Sequence, residues 1–198
     1  YDFVYDSSLG FLSGGNPDLK EETSDSYTIG GVIQPRFLPG FALSVDYYDI
    51  TVNDVIQSVA AQTILDTCYD AASLENQFCA LFERAGPGGG PRGEVEFQIL
   101  ENSLQVVPLN FAKLKVRGLD VEASYRHTFS GIGNFSTRLN YTRVFQNDAF
   151  TDPTDPGRAD RALYELGDPR DAFNWDVDLK TGPFTIGYQM RYIGKMVL

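Results

Sequence analysis

The chain of 198 residues carries 16 basic against 27 acidic side chains, a formal net charge of −11. A chain this acidic repels a phosphate backbone, so nucleic acid is set aside as a partner. No run of about 18 apolar residues exists, which excludes a transmembrane helix but not a β-barrel, whose spans are short and alternate in polarity. With 11 Tyr, 14 Phe and 19 Gly the composition leans towards strands.

Six segments alternate polar against apolar, the period-2 signature of strands. The first spans about 24–35 and sets Tyr27, Ile29 and Ile33 against Ser26, Thr28 and Gln34. A turn at Pro39-Gly40 leads to the second, 41–56, where Phe41, Leu43, Val45 and Tyr47 oppose Ser44, Asp46 and Tyr48. The third, 111–128, sets Leu119, Val121, Ala123 and Tyr125 against Asp120, Glu122, Ser124 and Arg126. Across the turn Ser130-Gly131-Ile132-Gly133 lies the fourth, 134–146, with Phe135, Leu139 and Tyr141 opposing Ser136, Arg138 and Asn140. The fifth, 172–181, carries Phe173, Trp175, Val177 and Leu179 on one side and Asn174, Asp176, Asp178 and Lys180 on the other. Thr181-Gly182-Pro183 opens the sixth, 183–195, where Phe184, Ile186, Tyr188, Met190 and Tyr192 oppose Thr185, Gln189 and Arg191.

The connections alternate in length. Short turns near 36–40, 129–133 and 181–183 contrast with inserts at about 57–110 and 146–172, which hold seven acidic residues each against two and three basic ones. An insert of some fifty residues is unusual in a compact soluble domain, whereas short turns at one end and long loops at the other are the habit of an outer-membrane barrel. The first insert reads as two helical stretches, 61–70 and 73–84, then a Gly/Pro run at 85–93 and a hairpin whose first arm alternates Val95, Phe97 and Ile99. It holds the two cysteines, Cys68 and Cys79. Two thiols and one distant histidine, His127, build no zinc cage, so a disulfide is expected, which implies an oxidising compartment. Closing so short a loop contributes roughly 3 kcal/mol in the chain-entropy model. Two free thiols are the alternative.

Alternation alone also suits a soluble sandwich, in which one face of each strand packs a dry core. Here the apolar face is crowded with large aromatics near strand ends, as lipid interfaces select. The expected fold class is therefore all-β, an antiparallel transmembrane β-barrel segment of about six strands with long extracellular loops. Leu43, Val45, Val121, Tyr125, Leu139, Trp175, Val177, Ile186 and Tyr188 are expected to face lipid. Asp46, Asp120, Glu122, Arg126, Arg138, Asp176, Asp178 and Arg191 are expected to face the lumen. A soluble β-sandwich adhesion or carbohydrate-binding module is the alternative.

Five motifs carry a family resemblance. GNPDLKEETSDSYTIGG at 15–31 resembles the GNPxLKPET…YxxG signature that opens a barrel strand in TonB-dependent receptors, with Glu21 where Pro is usual. LSVDYYDITVNDVI (43–56), LKVRGLDVEASY (114–125), DPRDAFNWDVDL (168–179) and GPFTIGYQMRYIGKM (182–196) are similar to later strand motifs of that family, in the family's order. The resemblance implies a plugged barrel of roughly 22 strands, of which these residues form part of one barrel domain. It implies an outer-membrane importer in a Gram-negative bacterium. Its expected partners are membrane lipid and lipopolysaccharide, its own plug domain, TonB, and a ligand. That ligand is a metal chelate such as a ferric siderophore by default, with a carbohydrate or cobalamin as the alternatives.

No catalytic set is visible. A lone histidine and scattered serines make no Ser-His-Asp pattern, and carboxylates such as Asp176 and Asp178 serve more simply as partners for Arg126, Arg138 and Arg191. No enzyme activity, cofactor or metal site is expected. Asp148, Asp152, Asp155 and Asp160 fit no EF-hand spacing, and the glycines at 88–90 precede no phosphate-loop Lys. Lys113, Lys115 and Arg117 share the outward parity and are candidates to meet lipopolysaccharide phosphates.

Overall fold

The computed structural model describes residues 9–197. Its strands are β1 (Phe11–Ser13), β2 (Thr23–Ile33), β3 (Phe41–Ser58), β4 (Leu104–Val106), β5 (Pro108–Phe129), β6 (Gly133–Phe150), β7 (Asp160–Arg161), β8 (Asp171–Thr181) and β9 (Phe184–Ile193), and its one α-helix among the described residues is α1 (Ala61–Asp70). The sheet order is β2-β3-β5-β6-β8-β9, with β7 added to β6, so sequential long strands are neighbours throughout. β8 and β9, of 11 and 10 residues, have the length that crosses a bilayer at a barrel tilt, about 9–11 residues. β3, β5 and β6 run longer, to 18, 22 and 18 residues.

The residues cluster into two units. One comprises Ser24–Val52, Leu114–Ala149 and Ala159–Leu198; the other comprises Tyr1–Thr23, Asn53–Lys113 and Phe150–Arg158. The first is a single layer of strands. Among its described residues only Gly118 is fully buried. A sandwich buries one face of each sheet against the other. Within this unit the described residues form no second sheet, which removes the physical basis of the soluble-sandwich alternative. Large apolar side chains stand in the open: Ile186 is 64% exposed and Tyr188 57%.

Local chemistry sets the turns. Thr181 pairs with Phe184, so Gly182-Pro183 is a two-residue hairpin loop. Gly182 takes φ +54°, as the first position of a II′ turn requires, and Pro183 fixes the φ that follows. Gly118 has a different reason to be glycine. The Tyr48 phenol lies over it, and a Cβ there would collide with the Tyr48 hydroxyl and approach the Arg143 carbonyl.

The other unit has a core of its own. Ile64, Cys68, Phe78, Leu81, Phe82, Ile99 and Leu104 are buried together, and Ile64 and Leu104 are almost wholly removed from solvent. Phe78 meets Phe111 edge-on at 5.9 Å. Each fully buried Leu, Ile or Phe contributes roughly 1.5–3 kcal/mol, enough for an insert of this size to hold a defined shape. A disulfide joins Cys68 to Cys79, with the Cα atoms 4.9 Å apart. β1 and β4 pair in parallel, Phe11 opposite Leu104, and so tie the start of the described chain to the end of the insert.

Two expectations for the insert are corrected. The helix expected at 73–84 is reduced to a 3-10 turn, Cys79–Leu81. Asn76 Oδ1 accepts both the Phe78 and Cys79 amides, and local side-chain bonds of this kind compete with helix. The arm expected to alternate through Val95, Phe97 and Ile99 is not a regular strand. Phe97 takes φ +68°, Val95 and Phe97 are both exposed, and only Ile99 turns inward, bridging to Arg84.

The glycine run closes around Glu94. Its carboxylate accepts the Arg92 amide at 2.8 Å and the Glu101 amide at 3.3 Å, while the Gly90 amide bonds the Glu94 carbonyl at 2.7 Å. Hydrogen bonds from its own amide, then those of Arg92 and Glu101, hold the Glu94 carboxyl below the usual range for glutamate. A carboxylate with a depressed folded pKa lends its full support above the unfolded value, about 4.3, and withdraws it as pH falls through the folded one. Hydrogen exchange at the Arg92 and Glu101 amides, corrected for intrinsic rate, should lose protection only below the ordinary carboxylate range. Glu94→Gln should abolish that pH dependence. Unchanged protection far into acid would contradict the role given to Glu94.

Candidate functional site: one sheet, two unlike faces

Register decides which side chains share a face, because residues directly opposite in a pair point the same way. Across β8 and β9, Trp175 opposes Met190, Val177 opposes Tyr188, and Leu179 opposes Ile186. Across β6 and β8, Leu139 opposes Trp175, Tyr141 opposes Phe173, and Phe135 opposes Leu179. Tyr125 of β5 reaches Phe135 with ring centroids 6.3 Å apart, and Tyr47 of β3 reaches Phe145 at 6.5 Å. Leu43 and Val45 share Tyr47's parity on β3, and Val121 shares Tyr125's on β5. One continuous apolar face thus holds Leu43, Val45, Val121, Tyr125, Leu139, Trp175, Val177, Ile186 and Tyr188. The Trp175 indole N–H donates to Thr137 Oγ1 at 2.9 Å, so the face leaves that donor paired.

The opposite face is polar. Arg138 opposes Asp176, Ser136 opposes Asp178, and Asn174 opposes Arg191. Arg138 Nε lies 3.4 Å from Glu122 Oε1. The Thr142 hydroxyl donates to Asp120 Oδ1 at 2.6 Å, and Ser44 donates to Asp46 Oδ2 at 2.8 Å. Arg126, Arg138, Asp176 and Asp178 line one shallow, open concavity. Both partners of the Glu122–Arg138 pair are about half exposed, so it is worth at most about 1 kcal/mol. These groups form a wet, charged wall, with no dry, enclosed catalytic pocket among them. Asp120 is bonded to Thr142 and Glu122 to Arg138.

Two rims were not read from the sequence. On the apolar face Tyr141 donates to Asp171 Oδ1 at 2.6 Å. Arg143 lies 3.7 Å from the same oxygen and stacks over Phe145 at 6.0 Å. The signal was available in the odd positions of Tyr141-Thr142-Arg143-Val144-Phe145, where a cation follows the apolar parity. At the short-turn end of the same face, His127 stacks on Tyr125 and meets Phe129 edge-on at 4.5 Å, and Phe129 meets Phe135. Aromatic rings thus gather towards both ends of the apolar band.

In the second insert, β7 extends the sheet by pairing Asp148 with Arg161 and Ala149 with Asp160. Asp152 accepts from Thr154 and pairs with Arg158 at 3.1 Å. Among the described residues no group of three His, Cys, Asp or Glu side chains is placed to hold a metal ion.

Antiparallel strands of membrane-crossing length, in one layer with a polar and an apolar face, define the wall of an outer-membrane β-barrel; no helix among the described residues is long and apolar enough to cross a membrane. The family model for the TonB dependent receptor-like β-barrel matches residues 1–197, and the chain belongs to that family. It is a family of outer-membrane receptors and transporters, not of enzymes. A comparison with curated proteins finds no match.

The two faces predict unequal costs. In the full-length receptor refolded into lipid vesicles, Val177→Arg should destabilise by about 2–4 kcal/mol, the range for a cation on a lipid face near the midplane. Asp178→Asn, one residue away, should change stability by no more than roughly 0.5 kcal/mol. Equal losses at both positions would contradict the assignment of the faces.

Proposed function

We propose that this chain is part of the wall of an importer that takes a scarce nutrient complex across the outer membrane, driven by energy relayed through TonB. The observation that carries the reading is the sheet with two uncovered and opposite faces, combined with the family match over residues 1–197. Lipid covers the apolar face. The receptor's own plug domain covers the polar face, where Asp46, Asp120, Glu122, Arg126, Arg138, Asp176, Asp178 and Arg191 meet water and plug side chains. Residues 57–110 and 146–172 lie on the extracellular side, where an oxidising environment keeps Cys68 and Cys79 bonded. Lipopolysaccharide phosphates meet Lys113, Lys115 and Arg117. The ligand is a metal chelate, a ferric siderophore.

The test is uptake of radiolabelled iron in a strain lacking this receptor, with a panel of ferric siderophores. Restoring the receptor should restore uptake of at least one chelate, and removing TonB should abolish it. Uptake that survives the loss of TonB would overturn the energy coupling. Restoration with none of the chelates would overturn the ligand class.

A further inference from the structure

The end of the second insert is held to the segment after β9 by a short clasp. Past the Ala172–Ile193 pair, the Gly194 amide still donates to the Asp171 carbonyl at 2.7 Å. Two residues further on, Met196 Sδ accepts the Gly167 amide at 3.3 Å. The Val197 amide then donates to the Tyr164 carbonyl at 2.7 Å. The turn that this clasp closes has a strained backbone, with Tyr164 at φ +80° and Gly167 at φ +106°. A left-handed tyrosine persists only where its surroundings hold it. Tyr164 is held by its own amide on the Asp168 carbonyl at 2.9 Å, by Val197, and by Arg170 Nη1, which donates to its hydroxyl at 2.9 Å.

Covalent chemistry can change one of these bonds, the one from Gly167 to Met196. A thioether sulfur is a weak acceptor and takes up one oxygen readily. With hydrogen peroxide the O–O bond breaks, one oxygen forms an S–O bond with Sδ, and water leaves. The sulfur is oxidised by two electrons and the peroxide is reduced. The product sulfur is electron-poor, and the acceptor has moved a bond length away onto oxygen. The Gly167 amide then has no partner at the present geometry, in a turn already strained at Tyr164. Access favours this sulfur. Met196 is half-buried, not enclosed, and lies against the exposed Gly167. The chain's other methionine, Met190, opposes Trp175 on the apolar face, which lipid covers.

We propose that Met196 is an oxidation site, and that its conversion to the sulfoxide by a peroxide opens the turn at Tyr164–Asp171. The clasp joins residues of a single unit and does not rest on the transport reading. A receptor that imports a chelate yet shows no response at Met196 overturns this proposal alone.

The experiment uses the full-length receptor in bilayers, with its disulfide intact, treated with hydrogen peroxide in the presence of free methionine. Peptide mass mapping reads the added oxygen, and hydrogen exchange with fragmentation reads single amides. Met196 should oxidise alongside the free methionine. Exchange at Gly167 and Val197 should then rise roughly two- to tenfold, the change that one lost hydrogen bond corresponds to, while Gly194 stays protected. Met196→Leu fills much the same space without the acceptor. It should show the faster Gly167 exchange from the start and no further change with peroxide; unchanged Gly194 protection confirms that the variant is folded. Met196 that stays reduced while free methionine is consumed, a sulfoxide at Met196 that leaves Gly167 exchange unchanged, or an equal peroxide response in Met196→Leu would each overturn the proposal.

Discussion

Within hydrocarbon there is no water to satisfy a backbone amide or carbonyl, so every such group in a spanning segment must be paired by the chain itself. The rest of the architecture follows from that constraint. Strands are joined edge to edge by short turns such as Gly182-Pro183, and β6, β8 and β9 pair residue by residue over ten positions in each ladder. Between neighbouring strands the ladder pairs the backbone and leaves the side chains to alternate between two environments. That is why one layer suffices where a soluble protein needs two, and why almost nothing in the sheet is buried. The wall's sequence needs apolar and polar groups at alternate positions along each strand, not a packed core.

The insert obeys the opposite rule. Outside the strands the chain has no neighbouring ladder, so it must exclude water by its own packing. Ile64, Phe78, Leu81, Phe82 and Leu104 do this, and the Cys68–Cys79 bond restricts the unfolded alternatives. Its polar groups are closed locally: Asn76 caps the 3-10 turn, and Glu94 gathers the glycine run. The two units therefore divide the stabilising work by solvent, with backbone pairing dominant in one and apolar burial in the other.

This division also explains what could be read from the sequence. Which residues share a face was legible because period-2 alternation is a property of each strand, and the register carries it intact from Leu139 through Trp175 to Met190. The hairpin turns were legible because Gly-Pro at 182–183 restricts φ on its own. The interior of the insert was much less legible. Leu74-Glu75-Asn76-Gln77-Phe78 has helical composition, but Asn76 bonds forward to the Phe78 and Cys79 amides and only a 3-10 turn follows. Phe97 sits in an alternating run, yet takes a left-handed φ that only the surrounding chain imposes. The parallel pairing of Phe11–Ser13 with Leu104–Val106 joins segments some ninety residues apart and only three residues long, a contact with no local signature. At the rim the apolar parity of Arg143 is legible in the sequence, but its pairing with Asp171 appears only once register places residues of two strands together.

A sheet that separates two solvents must show it residue by residue in its accessibility to reagents dissolved in each. Nitroxide labels placed singly at each position from 172 to 180, in the full-length receptor in bilayers with its disulfide intact, can be read with dissolved oxygen and with a water-soluble nickel chelate. A strict period of two is expected, with oxygen contact highest at the positions of Phe173, Trp175, Val177 and Leu179 and nickel contact highest at those of Asn174, Asp176 and Asp178. Equal contact with both reagents along the strand, or the reverse phase, would contradict it.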